Sequence, residues 1–88
     1  MALNFPNTSR SYDADHRRIR FWGHDDAMEV PFFLEEDVLF KLYPRTQNAE
    51  AAMLESFDLG RERIFEVAHK AYRPGDRRAF YVLTARDF

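Results

Sequence analysis

The chain has no cysteine, which removes disulfides, thiolate nucleophiles and cysteine-based zinc sites. Glycine is scarce, and Gly23, Gly60 and Gly75 lie too far apart to form a phosphate-cradling loop. No apolar run approaches the length of a membrane span. Charge of one sign is also lacking. Thirteen basic and 15 acidic residues leave a formal net charge of −2, which offers no global attraction to nucleic acid. The opening MALNFPNTSR has no basic stretch followed by an apolar run, so a signal peptide is not expected and a cytoplasmic location is. Without a secretion signal, the glycosylation sequon Asn7-Thr8-Ser9 carries no weight.

What the chain does have is bulk. Nine Phe, four Tyr and one Trp occur in 88 residues, enough large side chains for a dense core in one small domain. A hydrophobic content of 45% is far from the disordered regime. Residues 1–88 are read as a single domain, with 1–10 an N-terminal arm. In that arm Leu3 and Phe5 alternate until Pro6, as a short strand or a clamp on the core.

The segment Ile19–Leu34, IRFWGHDDAMEVPFFL, carries the strongest pattern. Arg17–Gly23 and Ala27–Leu34 each alternate, and Asp25-Asp26 between them is turn chemistry. The period of two puts Ile19, Phe21, Gly23, Met28, Val30, Phe32 and Leu34 on one side. Arg18, Arg20, Trp22, Glu29, Pro31 and Phe33 fall on the other. Pro31 cannot donate to a ladder, which predicts an edge strand or a bulge there. Ser9–Asp13 is a further short-strand candidate, with a turn near Asp13-Ala14-Asp15.

Glu35-Glu36-Asp37 predicts a helix start, because carboxylates suit the positive end of the helix dipole, and Pro44 ends that helix. A second helix is predicted from about Asn48 to Tyr72. Its stripe is Ala49, Met53, Phe57, Gly60, Ile64, Ala68 and Ala71. Unbroken it would run roughly 37 Å, and a bend near Leu59-Gly60 would relieve that length. A last strand follows Pro74-Gly75-Asp76. Phe80 and Val82 are assigned to its core side, and Tyr81 and Leu83 to the side of Trp22. Thr84–Asp87 has capping-box spacing. The predicted core is Ile19, Phe21, Val30, Phe32, Phe57, Ile64, Phe80 and Val82.

The runs MALNFPNTSRSYD, RIRFWG, EVPFFLEEDVL, ESFDLGRERI and YVLTARDF resemble a family of small bacterial proteins, domain of unknown function 1488. The resemblance covers essentially the whole chain. It implies a compact bacterial domain and transfers no activity, ligand or site residue.

Chemistry-bearing clusters have simpler explanations. His16 near Asp13 and Asp15, and His24 beside Asp25 and Asp26, lie at opposite ends of one strand. At about 3.3 Å per residue they are roughly 26 Å apart, so they cannot share a metal. His69 reads as a surface histidine, with an i, i+3 partner available in Glu66. No base-and-orienter arrangement supports Ser9, Ser11, Tyr12 or Thr84 as a nucleophile. Of the basic clusters, Arg61-Arg63 reads as a solvated helix face. Arg17-Arg18-Arg20 and Arg73-Arg77-Arg78 lie near aromatics. The bland reading pairs Arg20 with Glu29 across the hairpin and packs Trp22 and Phe33 under the N-terminal arm.

The expected fold is therefore α+β: an antiparallel sheet of three to four strands with two helices on one face, in the order strands, helix, long helix, strand. The expected function is a non-catalytic protein-interaction module, docking another protein or a second copy as a homodimer. The expected surface is Arg18, Arg20, Trp22, Glu29, Phe33 and Tyr81. The alternative is a nucleic-acid-binding accessory protein using the same face. The acidic pI of 5.9 ranks that alternative lower. No enzyme activity, cofactor, metal or membrane partner is expected.

Overall fold

The structure is a computed structural model that describes residues 3–76 and 78–88. Its strands are β1 (Leu3–Asn4), β2 (Arg10–Asp13), β3 (Arg18–Asp25), β4 (Met28–Glu35) and β5 (Tyr81–Leu83). Its α-helices are α1 (Glu36–Leu42), α2 (Glu50–Leu59) and α3 (Arg61–Ala71), and a 3-10 turn covers Ala85–Asp87. Among the described residues, no helix is long and apolar enough to cross a membrane.

The fold is α+β, as expected, but the sheet is mixed and has five strands. β3 and β4 form the predicted hairpin, from Arg18 opposite Glu35 to Asp25 opposite Met28. Asp26 turns the corner at φ 55°, a left-handed conformation that Asp tolerates better than most residues. β1 and β2 both pair with the far edge of β3, β1 at its C-terminal end and β2 nearer its start. Pro6 lies between them and supplies no ladder donor. β5 joins β4 in parallel, with Phe32 beside Tyr81 and Leu34 beside Leu83. A parallel partner requires a long crossover, and the three helices are that crossover.

The predicted long helix is two helices, interrupted at Gly60. A Cβ on Gly60 would lie 3.1 Å from Tyr43 Cε2, so the chain approaches closely at the break. On each side the predicted stripe is buried, at Met53 and Phe57 on α2 and at Ile64 and Ala68 on α3. β4 is internal rather than an edge strand. Its pairing with β5 begins only at Phe32, which leaves the outer side of Pro31 outside that ladder.

One hydrophobic cluster lies between sheet and helices. Ile19, Phe21, Val30, Phe32 and Leu34 point into it from the hairpin, and Val38, Leu39, Phe57 and Ile64 meet them from the helices. The last strand corrects the predicted core. Tyr81 and Leu83 face the helices, whereas Phe80 is 42% exposed and Val82 is half-buried. The strand is apolar at every position, so alternation leaves its parity open. The register decides it: Tyr81 stacks on Phe32 at 5.3 Å. Its hydroxyl accepts a bond from Arg73 N–H (3.2 Å) and donates to the Arg73 carbonyl (3.3 Å), which ties it to the end of α3.

The N-terminal arm also lies on the helix side. Phe5 stacks on Phe65 at 4.1 Å and 4° and touches Phe21 and Phe32. Gly23 makes room for this, because a Cβ there would sit 2.8 Å from Leu3 Cδ1 and 2.9 Å from Phe5 Cε1. The bland reading of the other face fails on two counts. Phe5 does not cover Trp22, and Arg20 stands opposite Phe33 while Glu29 stands opposite His24.

Candidate functional site

Every helix and the packed part of the arm lie on one side of the sheet, so the other side carries no layer among the described residues. β3 presents Arg18, Arg20, Trp22 and His24 to that side, and β4 presents Glu35, Phe33, Pro31 and Glu29 opposite them in that order. β5 adds Val82 beside Phe33. Phe80, just before β5, meets Phe33 edge-on at 5.2 Å.

The face is organised by guanidinium–ring contacts. The Arg18 guanidinium lies 3.8 Å from the Phe33 centroid and 5.7 Å from that of Phe80. Arg20 lies 4.9 Å from the Trp22 ring. Contacts of this type are worth about 0.5–1 kcal/mol when exposed and more when desolvated. Arg18 also pairs with Asp13 at 3.4 Å, and Asp13 binds His16 Nδ1 at 2.9 Å. Burial pushes the Asp13 carboxyl up, but hydrogen bonds with His16 and Arg18 outweigh it and hold the group below the usual carboxylate range. Asp13, Glu29 and Glu35 share this face with Arg18 and Arg20, so its charge is mixed.

Five of the six predicted surface residues, Arg18, Arg20, Trp22, Glu29 and Phe33, are brought together. Tyr81 is not: it is 4% exposed and belongs to the core. Phe80 and Val82 take its place. No sequence signal identified them, because both parities of the last strand are equally apolar. Arg77 of the third basic cluster lies outside the described residues.

The remaining polar clusters hold the fold together. Arg10 reaches Asp58 on α2 through two bonds of 2.9 and 2.8 Å, and Arg61 binds the same carboxylate. The Arg10 bond chiefly, helped by Arg61 against the effect of burial, draws the Asp58 carboxyl below its ordinary value. Arg61 also lies over Phe57 and Phe65, so it is not the solvated side chain expected of it. Tyr72 donates to Asp25 at 2.6 Å, and that carboxylate, with burial, pushes the phenol up to about 12. His69 packs edge-on against Phe5 at 5.5 Å, while Glu66 is paired with Arg63. Among the described residues, no group of three or more His, Asp or Glu side chains is placed to hold a metal ion.

The family model described as "Protein of unknown function (DUF1488)" matches residues 3–84. The chain belongs to the DUF1488 family. The crystal structure of a DUF1488 protein of unknown function from Shewanella loihica PV-4 superposes with a TM-score of 0.74. That match covers 93% of this chain and 91% of the other at 18% identity, which makes the α+β architecture a shared one. No curated protein matches the chain.

Proposed function

We propose that this DUF1488 chain is a non-catalytic protein-interaction module that docks through the uncovered sheet face. The observation that carries the reading is one-sided coverage. All three helices and Phe5 pack on the Phe21–Phe32 side, which leaves Trp22, Phe33, Phe80 and two arginines on the other. A sheet normally buries both apolar faces or makes one of them polar. Here the bare face has the side chains that concentrate at interface centres, namely aromatics and arginine.

The charge pattern favours a protein over a nucleic acid. Bases stack on open aromatic faces. Arg18 and Arg20 already lie over Phe33 and Trp22, and Asp13, Glu29 and Glu35 would repel phosphates. The proposed setting is the cytoplasm.

The test is a photo-crosslinking amino acid placed at position 22, with position 62 on the exposed outside of α3 as control. Protein adducts from position 22 and none from position 62 are expected in the expressing cells. Nucleic-acid adducts would replace this reading with the alternative, and no adducts at all would overturn it.

A further inference from the structure

We infer that the occupant of this face is a second copy of the chain, packed sheet to sheet about a two-fold axis along the Trp22–Pro31–Phe80 stripe. The inference rests on the interaction reading above. Trp22 stands opposite Pro31, and continuing the β4–β5 register back by one residue sets Phe80 beside Pro31. These three positions form an apolar rung across the sheet, from which the Phe80 ring leans onto Phe33 on the Arg20 flank. Phe80 is among the most exposed large hydrophobics of the chain.

The charged positions nearest this rung differ in sign on its two flanks, while farther out on the Arg20 side Arg18 stands opposite both Asp13 and Glu35 and is balanced by them. Arg20 lies two residues to one side of Trp22, and Glu29 lies two residues to the other side of Pro31. The two are about 13 Å apart along the strands, at about 3.3 Å per residue. Among the described residues, neither has an ion-pair partner within the chain. An axis along the rung exchanges its flanks. It therefore lays the Arg20 flank of one copy over the Glu29 flank of the other, and does so twice, as an isologous interface requires. Stacked sheets pack about 10 Å apart, a distance that two long side chains from facing sheets can bridge.

The area is adequate. Two strands of eight residues, flanked by strands of two, four and three, give a face of roughly 400 Å² in projection, at about 3.3 Å per residue and 4.8 Å between strands. Side-chain relief raises the accessible area toward the ~800 Å² per partner of ordinary interfaces.

Sedimentation equilibrium on the whole chain tests this with Arg20→Glu, Glu29→Arg and the double exchange. Both residues are exposed, so circular dichroism should show each variant folded. The wild type is expected to dimerise. Each single exchange should raise the dissociation constant at least about tenfold, because it sets like charges together at both symmetric contacts. The double exchange should bring it back to within about threefold. A monomeric wild type, a dimer indifferent to either exchange, or a double variant that adds the two losses would each overturn the inference. If the wild type is monomeric yet position 22 still cross-links to another protein, the second copy is wrong and the interaction reading stands. If position 22 cross-links to nothing, both fall.

Discussion

Replacing Gly23 with Ala tests how the arm is held. Gly23 sits in β3 on the helix side, and its backbone is not in the left-handed region, so alanine meets no strain of its own there. On an open strand the change would stabilise by about 0.5–1 kcal/mol, because glycine loses more freedom on folding. Here the new methyl would lie 2.8 Å from Leu3 Cδ1 and 2.9 Å from Phe5 Cε1. The leucine methyl can rotate away. The phenylalanine ring has less freedom, because it is stacked on Phe65 at 4.1 Å and bounded by Phe21 and Phe32 within 6.0 Å. Overpacking of this kind costs about 1–3 kcal/mol.

The net expectation is destabilisation by about 0.5–2 kcal/mol. At roughly 4–8 °C per kcal/mol for a domain of this size, thermal denaturation would show it clearly. A double-mutant cycle isolates the cause. With Phe5→Ala in the background the obstruction is largely gone, so Gly23→Ala should become neutral or stabilising, a coupling of about 1 kcal/mol or more. A raised melting temperature for Gly23→Ala alone, or strict additivity with Phe5→Ala, would refute the argument that the arm threads over this glycine.

The other predictions follow from burial and charge. Gly60→Ala should lower the melting temperature, because its Cβ would press on the Tyr43 ring at 3.1 Å where the helix breaks. Phe57→Ala should cost about 3–5 kcal/mol in chemical denaturation, since Phe57 is fully buried. Phe80→Ala should cost under about 1 kcal/mol in the monomer, and equal losses would mean that β5 faces the other way. Asp58 is drawn down by Arg10 and Arg61, so its contribution is present above about pH 4 and is lost as pH falls through the lowered value. Asp58→Asn should therefore flatten the acid limb of stability against pH. Tyr72 is raised to about 12, so its contribution is full below about pH 10 and disappears as pH rises through 12. Tyr72→Phe should weaken the fold at neutral pH and remove that alkaline loss.

Strand parity and helical period were legible wherever the two faces differ in polarity. Ile19, Phe21, Val30 and Phe32 alternate with charged, aromatic or proline neighbours, and the hairpin register follows from that pattern. The break at Gly60 was legible as a bend, since a glycine inside an apolar stripe marks close approach. The last strand was not legible, because Phe80, Tyr81, Val82 and Leu83 are all apolar and only a long-range register selects among them. Arg10–Asp58 and Tyr72–Asp25 link residues 48 and 47 positions apart, and no local pattern encodes such pairs.

The two faces of the sheet solve the same problem with different chemistry. On the helix side Phe21, Phe32, Phe57 and Tyr81 pack ring against ring and are buried from water. On the bare side guanidinium groups cover part of two rings, with Arg18 over Phe33 and Arg20 over Trp22, while Phe80 stays exposed. A planar guanidinium is weakly hydrated and keeps its charge at any physiological pH, so it can cover a ring in the free chain and remain against it when a partner arrives. A lysine in the same position would hold its hydration shell and leave the ring wet. Arg20→Lys should therefore weaken association while leaving monomer stability within about 0.5 kcal/mol, since an exposed substitution away from the core seldom does more. Sedimentation beside chemical denaturation separates the two effects. Unchanged association in Arg20→Lys would mean that Arg20 contributes only its charge, and the covering role assigned to its planar group would be wrong.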